Sequence, residues 1–225
     1  MSKQRIVKLA KFTARIAILL FVASPLSVAA STISTFERGT ERWTAIGDVA
    51  GPVRWVQSGG NPGGHIEITD KVLGGVTYFV APAKFHGNYG SAYGTNLTFD
   101  LRQSYTGPPN QFDDSDVILV GGGLTLVFDT LVNPSNNAWT SYAIPLAGLS
   151  GWHVSSLTGP LATQEQLLST LANLTDLEIR AEYQTGPDIG SLDNVSIFSV
   201  PDPGSTVLMF GLAVSGFALL QRKLT

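Results

Sequence analysis

Short stretches of alternating apolar and polar residues run through the middle of the chain, separated by clusters of Gly, Pro, Asn, Ser and Thr. In NLTFDLRQ, Leu97, Phe99 and Leu101 alternate with polar neighbours, and HIEIT and LEIRAEYQ repeat the pattern. This period of two predicts β-strands with one face on a core and the other toward solvent. The stretch DVILVGGGLTLVFDT predicts two strands joined by a turn at Gly121–Gly123, because glycine accepts the positive φ of tight hairpins.

One helix is predicted, in TQEQLLSTLANL. Thr163 and Gln166 have the spacing of a capping box, and the leucines that follow recur on one helical face. We expect this helix to lie across one end of the fold and to lead into the strand that contains Leu177. Many short strands with a single helix predict an all-β protein, an antiparallel two-sheet β-sandwich of the jelly-roll or galactose-binding-like type.

The N-terminal segment departs from this pattern. Residues 1–30 combine a basic start, a short apolar core in IAILLFVA and the small residues of SPLSVAA. This order is typical of a signal peptide cleaved near Ala30, and it predicts an exported protein. Residues 31–200 are then predicted to form one β-sandwich domain.

Residues 201–225 form a third segment. They contain Pro201-Asp202-Pro203, an apolar stretch predicted as a single transmembrane helix, and a basic end at Arg222 and Lys223. The apolar stretch Val207–Leu220 is short for a bilayer core of about 30 Å. The basic end predicts a cytoplasmic C-terminus with the body of the protein outside. The segment therefore reads either as a permanent anchor or as a sorting signal that is removed.

Charge and cysteine content limit the partners of the body. Residues 31–200 contain seven Lys and Arg against sixteen Asp and Glu, a net charge of −9. Nucleic acid and anionic lipid surfaces are therefore disfavoured, while divalent cations and neutral or amine-bearing polymers stay open. The chain has no cysteine, which excludes disulfides, zinc–thiolate sites and a cysteine nucleophile.

Two resemblances cover nearly the whole chain. Stretches that include FERGTERW, YGTNLTFDLRQ, LLSTLANLTDLEIRAEYQTG and LDNVSIF make residues 36–198 similar to bacterial laminin B domains (laminin domain IV type A). This resemblance implies a non-catalytic β-sandwich module of surface and matrix proteins, which binds or organises an extracellular polymer. Exopolysaccharide is the polymer we expect, in a structural or adhesive role.

The tail resembles the PEP-CTERM sorting signal, in which a Pro-acid-Pro motif precedes an apolar helix and basic residues. The acid here is Asp202, where that motif has Glu. The resemblance implies processing by a membrane-embedded exosortase. Before processing the C-terminal helix would hold the protein to the membrane, and the protein would then be delivered to the bacterial cell envelope, surface or extracellular matrix.

Two groups of acids are candidate cation ligands. Many carbohydrate-binding β-sandwiches have a Phe-Glu near the first strand and an Asp-Asn-Val on the last, whose carboxylates bind a structural calcium. Glu37 and Asp193 stand in such positions here. The alternative set is Asp113, Asp114 and Asp116, which could share one side of a loop or simply face water. Calcium takes six to eight oxygen ligands, and the sequence does not supply that number by itself.

The remaining candidates concern sugars and catalysis. Trp43 and Trp139 are expected in the core, whereas Tyr89 and Tyr93, flanked by glycines, are expected to be exposed and available for sugar stacking. The chain has no HExxH, GxSxG or phosphate-loop motif, so we predict a protein that is not an enzyme. A calcium-dependent carbohydrate-binding module and a polysaccharide-degrading enzyme are the alternatives.

Overall fold

The structure is a computed structural model that describes residues 31–70 and 75–198. The predicted signal peptide and C-terminal helix lie outside these residues, as do the sorting-motif residues Pro201, Asp202, Pro203, Arg222 and Lys223. Within the described residues, no helix is both long and apolar enough to span a bilayer.

Two antiparallel sheets of six strands each form the body of the protein. The first sheet has the order β3-β4-β12-β6-β9, with β1 also paired to β12, and the second has the order β10-β8-β7-β11-β5-β2. In chain order the strands are β1 (Ser31–Ser34), β2 (Thr44–Ile46), β3 (Arg54–Gly60), β4 (Gly63–Thr69), β5 (Tyr78–Val80), β6 (Asn96–Ser104), β7 (Val117–Gly121), β8 (Leu124–Phe128), β9 (Thr140–Pro145), β10 (His153–Val154), β11 (Leu174–Arg180) and β12 (Ile189–Phe198). The predicted two-sheet sandwich is confirmed.

The core lies between the sheets and follows the alternation of the sequence. Leu97, Phe99 and Leu101 of β6 are buried, and so are Leu177 and Ile179 of β11. In these two strands the core-facing side chains are every second residue, because successive residues point to opposite faces. Burial of these apolar groups is the main favourable contribution to folding in a chain that has no disulfide.

The helix α1 covers Gln164–Ala172, and its capping box is present as predicted. Gln166 N donates to Thr163 Oγ1, and Thr163 N donates to Gln166 Oε1. Leu167 and Leu171 are buried, and the helix contacts the β7–β8 hairpin before the chain enters β11. A side chain at Gly121 would collide with the carbonyl of Thr170, so this hairpin needs glycine where the helix approaches.

The turn between β7 and β8 also matches its prediction. Gly122 and Gly123 have φ angles of 57° and 78°, which L-residues with side chains rarely adopt. The two strands pair directly on either side of the turn, with Gly121 opposite Leu124.

Candidate functional site

Glu37 and Asp193, which are far apart in sequence, both lie against the β3–β4 hairpin. A Cβ atom at Gly60 would lie 2.7 Å from Asp193 Oδ2, and one at Gly63 would collide with the carboxylate of Glu37. Glycines at these two positions therefore let both carboxylates pack against the hairpin. Glu37 is exposed and Asp193 is fully buried.

Asp193 sits in a network of backbone and amide groups. Its carboxylate accepts hydrogen bonds of 2.7 Å from the backbone N–H of Asn61 and from that of Asn194. Asp100, directly opposite on β6, accepts from the side-chain amides of both asparagines. Burial raises the pKa of Asp193 to about 6 and the charge of Asp100 acts in the same direction, although the two backbone N–H groups oppose them.

The oxygen atoms around this hairpin are of the type that binds a hard divalent cation. Besides the two carboxylates, the carbonyl oxygens of Gly63 and Gly64 lie within 3 Å of the Cβ position at Gly60. No three His, Asp or Glu side chains converge on a metal-sized site anywhere in residues 31–70 and 75–198. A calcium ion here would therefore be held by Glu37, Asp193, backbone carbonyls and water, an all-oxygen set that suits calcium rather than zinc.

The alternative acidic set does not assemble. Asp116 is buried and ion-paired with Arg180, at 3.3 Å between Oδ1 and Nη1, and its other oxygen accepts from Thr130. Asp114 accepts from the backbone N–H of Ser115, and Asp113 is exposed. The expectation that the three acids share one side or merely face water is wrong for Asp116, because Arg180 neutralises it inside the protein.

The aromatic candidates are placed differently from the prediction. Tyr89 is only 7% exposed, and its hydroxyl donates to the carbonyl of Lys84 and contacts Thr32 Oγ1. Tyr93 is half-buried and accepts from the backbone N–H of Gly148. The expected exposure is therefore wrong for Tyr89, because the hydroxyl finds its partners inside the fold. Trp43 is buried as expected.

Trp139 is half-buried on the outward side of the first sheet, so its expected place in the core is wrong. Its indole N–H donates to the carbonyl of Gly59 at 2.9 Å. The guanidinium of Arg102 lies 4.7 Å from the ring centroid, and the ring of His65 meets it edge-on. Trp139 directly precedes β9. Its side chain is on the outward face of the first sheet, so it is not part of the core.

A polar network beneath Trp139 was missed at the level of sequence. The ring of His65 contacts Glu67 Oε1 at 3.0 Å and Arg102 Nη2 at 3.0 Å. The hydrogen bond from His65 is the main cause of the lowered pKa of Glu67, with the charge of Arg54 acting in the same direction. The signal was available, because His65 and Glu67 alternate with the buried Ile66 and therefore face outward.

A second missed group consists of three buried acids where β4, β11 and β12 begin or end: Asp70, Glu182 and Asp188. Burial and the charge of Asp70 raise the pKa of Glu182 to about 7. Burial also raises the pKa of Asp188 to about 6, against the opposing backbone N–H groups of Tyr183 and Gln184. Nothing in the strand pattern distinguishes these acids from solvent-facing ones, so they emerge only from the three-dimensional fold.

Comparison with known proteins decides the family. The family described as Laminin B (Domain IV) matches residues 78–206. The chain belongs to this family. Laminin subunit gamma-2 of Equus caballus is 33% identical over 172 residues, which is 74% of this chain and 13% of the laminin. The chain thus corresponds to a small part of its curated laminin relatives.

Solved structures agree on the fold of this Laminin B domain. The L4b domain of human laminin alpha-2 superposes with a TM-score of 0.51 at 18% identity, covering 60% of this chain and 80% of that one. CtCBM11, a family 11 carbohydrate-binding module of Clostridium thermocellum, gives 0.50 at 15% identity, covering 79% and 99%. At such identities the likeness establishes the β-sandwich alone.

The tail is recognised as well. The VPDSG-CTERM motif matches residues 199–224. Its name carries an aspartate after the proline, which is the order of Pro201 and Asp202 here, whereas the PEP-CTERM signal has Glu. The predicted C-terminal sorting signal is therefore confirmed in this Asp-containing variant. With the laminin-like domain, it indicates an exported protein of the cell surface.

Proposed function

We propose that this Laminin B domain protein binds extracellular polysaccharide at the bacterial surface and helps to organise or attach the matrix there. The observation that carries the proposal is the joint presence of a Laminin B sandwich and a C-terminal sorting motif in one chain. The net charge of −9 on residues 31–200 favours neutral or amine-bearing polymers over polyanions.

A structural calcium ion is part of this proposal. Glu37 and Asp193 would hold it together with the carbonyls of the β3–β4 hairpin. Its chemistry would be electrostatic, because a divalent cation offsets the cost of keeping Asp193 ionised inside the protein. It would also tie the segment before β2 to the last strand, a role that disulfides fill in many exported domains. The protein would then act as a calcium-dependent carbohydrate-binding module.

Polymer binding is tested by affinity electrophoresis of the exported protein in gels that contain neutral, amine-bearing or acidic polysaccharides. We expect retardation by at least one neutral or amine-bearing polymer, and by its host's own exopolysaccharide. Unretarded migration in every gel, with and without calcium, would contradict the proposal. A catalysed loss of polymer length in the same gels would instead indicate an enzyme.

Sorting is tested by the intact mass of the protein recovered from its host. We propose that an exosortase recognises the motif around Asp202 and removes the apolar tail. A C-terminus between Pro201 and Gly204 is the expected result. A mass that retains Lys223 would contradict removal and would indicate a permanent anchor.

A further inference from the structure

A row of polar and aromatic side chains crosses the outward face of the first sheet. Strand register places Arg54 of β3 opposite Glu67 of β4, and both Glu67 and Arg102 of β6 opposite Ser191 of β12. Trp139, one residue before β9, covers Arg102. We call these five residues the outer row. With strands about 4.8 Å apart, it extends roughly 19 Å, enough for a short oligosaccharide.

The outer row is accessible at both of its ends. The side chain of Arg54 is 68% exposed although it is ion-paired with Glu67, and Trp139 is half-buried. A shallow groove of about 150 Å³ opens beside the first pair, lined by Pro52, Arg54, Glu67 and Thr69 among others. Ligand sites commonly combine an aromatic surface with a few placed polar groups, and the outer row offers both.

Two buried polar atoms under the outer row lack a partner. Nδ1 of His65 and Nε of Arg102 have no hydrogen bond in the part of the chain that the structure describes. His65 is 1% exposed. Buried polar groups are normally satisfied, and unsatisfied ones call for a ligand or water. These two atoms therefore leave hydrogen-bonding capacity beneath the outer row that a ligand or water can satisfy.

Charge selects the class of ligand. Two arginines and one glutamate alternate along the outer row, so hydrogen-bond donors and acceptors lie side by side. Sugar hydroxyls both donate and accept, and the apolar face of a pyranose can stack on an indole ring. A polyanion would approach a body of net charge −9, which disfavours it. A neutral polysaccharide matches the outer row best.

The hairpin connects the outer row to the cation site. The carbonyl of Gly59 accepts from Trp139 Nε1 at 2.9 Å and from Arg102 Nη1 at 3.1 Å. The next residue, Gly60, packs on Asp193, and Gly63 packs on Glu37. A ligand that holds the carboxylates of Glu37 and Asp193 to the hairpin would therefore also fix the Gly59 carbonyl, which orients Trp139.

We propose that the outer row is the neutral-polysaccharide surface of this protein and that a divalent cation at Glu37 and Asp193 keeps it in binding geometry. This inference rests on the proposed function, namely that the protein binds polysaccharide. Without the cation, the charges of Asp193 and Asp100 on paired strands and of the nearby Glu37 would repel one another, which would loosen the hairpin whose Gly59 carbonyl accepts from Trp139.

The first experiment compares Trp139→Ala, Arg54→Ala and the control Tyr105→Ala by affinity electrophoresis on the polymer that retards the wild type best. Tyr105 is also half-exposed but lies on the loop after β6. We expect roughly tenfold weaker binding for Trp139→Ala, which removes the aromatic surface at one end of the outer row, and an unchanged control. Circular dichroism confirms that each variant folds. A wild type that binds no polymer contradicts the proposed function, whereas a binding wild type matched by Trp139→Ala contradicts the outer row.

The second experiment follows Trp139 itself. The emission difference between the wild type and Trp139→Phe is recorded while calcium is titrated into the EDTA-treated protein. We expect that difference to change as calcium is added. When the same comparison is made in proteins that also carry Glu37→Gln, the difference should stay constant. EDTA should also weaken polysaccharide binding roughly tenfold. A Trp139 signal and a polymer affinity that are both indifferent to calcium would overturn the coupling.

Discussion

The carboxylate of Asp193 accepts a 2.7 Å hydrogen bond from the backbone N–H of Asn61, 132 positions earlier in the chain. This contact fastens the β3–β4 hairpin to the last strand. It also brings a buried acid to the glycine-rich hairpin against which the carboxylate of Glu37 packs as well.

Calcium should raise the melting temperature, because a ligand that binds only the folded state stabilises it by about 2.7 kcal/mol at a hundredfold excess over Kd. EDTA should reverse the gain. Glu37→Gln and Asp193→Asn should each abolish the difference between calcium and EDTA, as measured by differential scanning fluorimetry. Asp113→Asn is the matched control, since Asp113 is exposed in the alternative acidic loop. If only Asp113→Asn abolished the calcium-dependent rise in melting temperature, the calcium site would be in that loop instead.

Comparing Gly63→Ala with Gly59→Ala distinguishes the effect of backbone strain from the effect of displacing the Glu37 carboxylate. The φ angles of the two glycines are nearly equal, at 85° and 83°, so the strain of adding a side chain is similar. At Gly63 the new Cβ collides with the Glu37 carboxylate, whereas at Gly59 its nearest neighbour is His65 Cε1 at 3.8 Å. Calorimetric calcium titration should therefore show at least tenfold weaker binding for Gly63→Ala alone. Equal losses in both variants would mean that Glu37 is not a ligand.

In EDTA the domain should be more stable at pH 5 than at pH 8. The pKa values of Glu182 and Asp188 are raised in the folded protein to about 7 and about 6. Groups with raised pKa values contribute stability that is complete below their unfolded pKa values, near 4, and is lost as the pH rises through 6 and 7.

Glu182→Gln should flatten this pH dependence and raise the melting temperature at pH 8 by roughly 2–4 °C, equivalent to about 1 kcal/mol. Glu165→Gln, at an exposed position in the first turn of α1, is the control and should leave the slope unchanged. Thermal unfolding of both variants at pH 5 and pH 8 measures the effect. A wild type whose melting temperature rises toward pH 8 would contradict the assignment.

Removing the charge of Asp116 should be among the most damaging single changes. Asp116 and Arg180 are both fully buried, and Arg180 also donates to the carbonyls of Phe112 and Glu182. Asp116→Leu leaves a buried guanidinium without its counter-ion, which costs about 3–5 kcal/mol. Lys84→Met, which breaks the partly exposed pair with Glu41, should cost less than about 1 kcal/mol. Urea unfolding at pH 7 compares the two, and similar midpoints would refute the argument.

Most of the fold could be predicted from local patterns in the sequence. The alternation of Leu97, Phe99 and Leu101, the capping box at Thr163 and the glycine turn at Gly122 depend only on neighbouring residues. Each of them appears as predicted because sheets and caps reuse the same short-range geometry. The expectation that Glu37 and Asp193 share a cation came from a resemblance to other sandwiches, since no local rule connects the two ends of a domain.

Residues whose surroundings come from distant loops were misjudged. Alternation places Arg180 on the outward face of β11, yet it is buried because Phe112 and the rest of the loop before β7 cover it. Trp139 is the opposite case. A large aromatic residue next to a strand suggests a place in the core, but Trp139 lies on the outward side of Arg102. Such outcomes depend on which loop folds over which face, and strand periodicity contains no information about that.

The pairing of β1 with β12 sets Ser31 directly opposite Phe198. Partners across an antiparallel pair lie about 5 Å apart, so the polypeptide enters and leaves this domain at nearly one point. A unit built in this way can be spliced into a loop of another protein without forcing the host's flanking residues apart. The same architecture therefore suits both a short stretch within a long laminin subunit and a domain that precedes a C-terminal sorting motif.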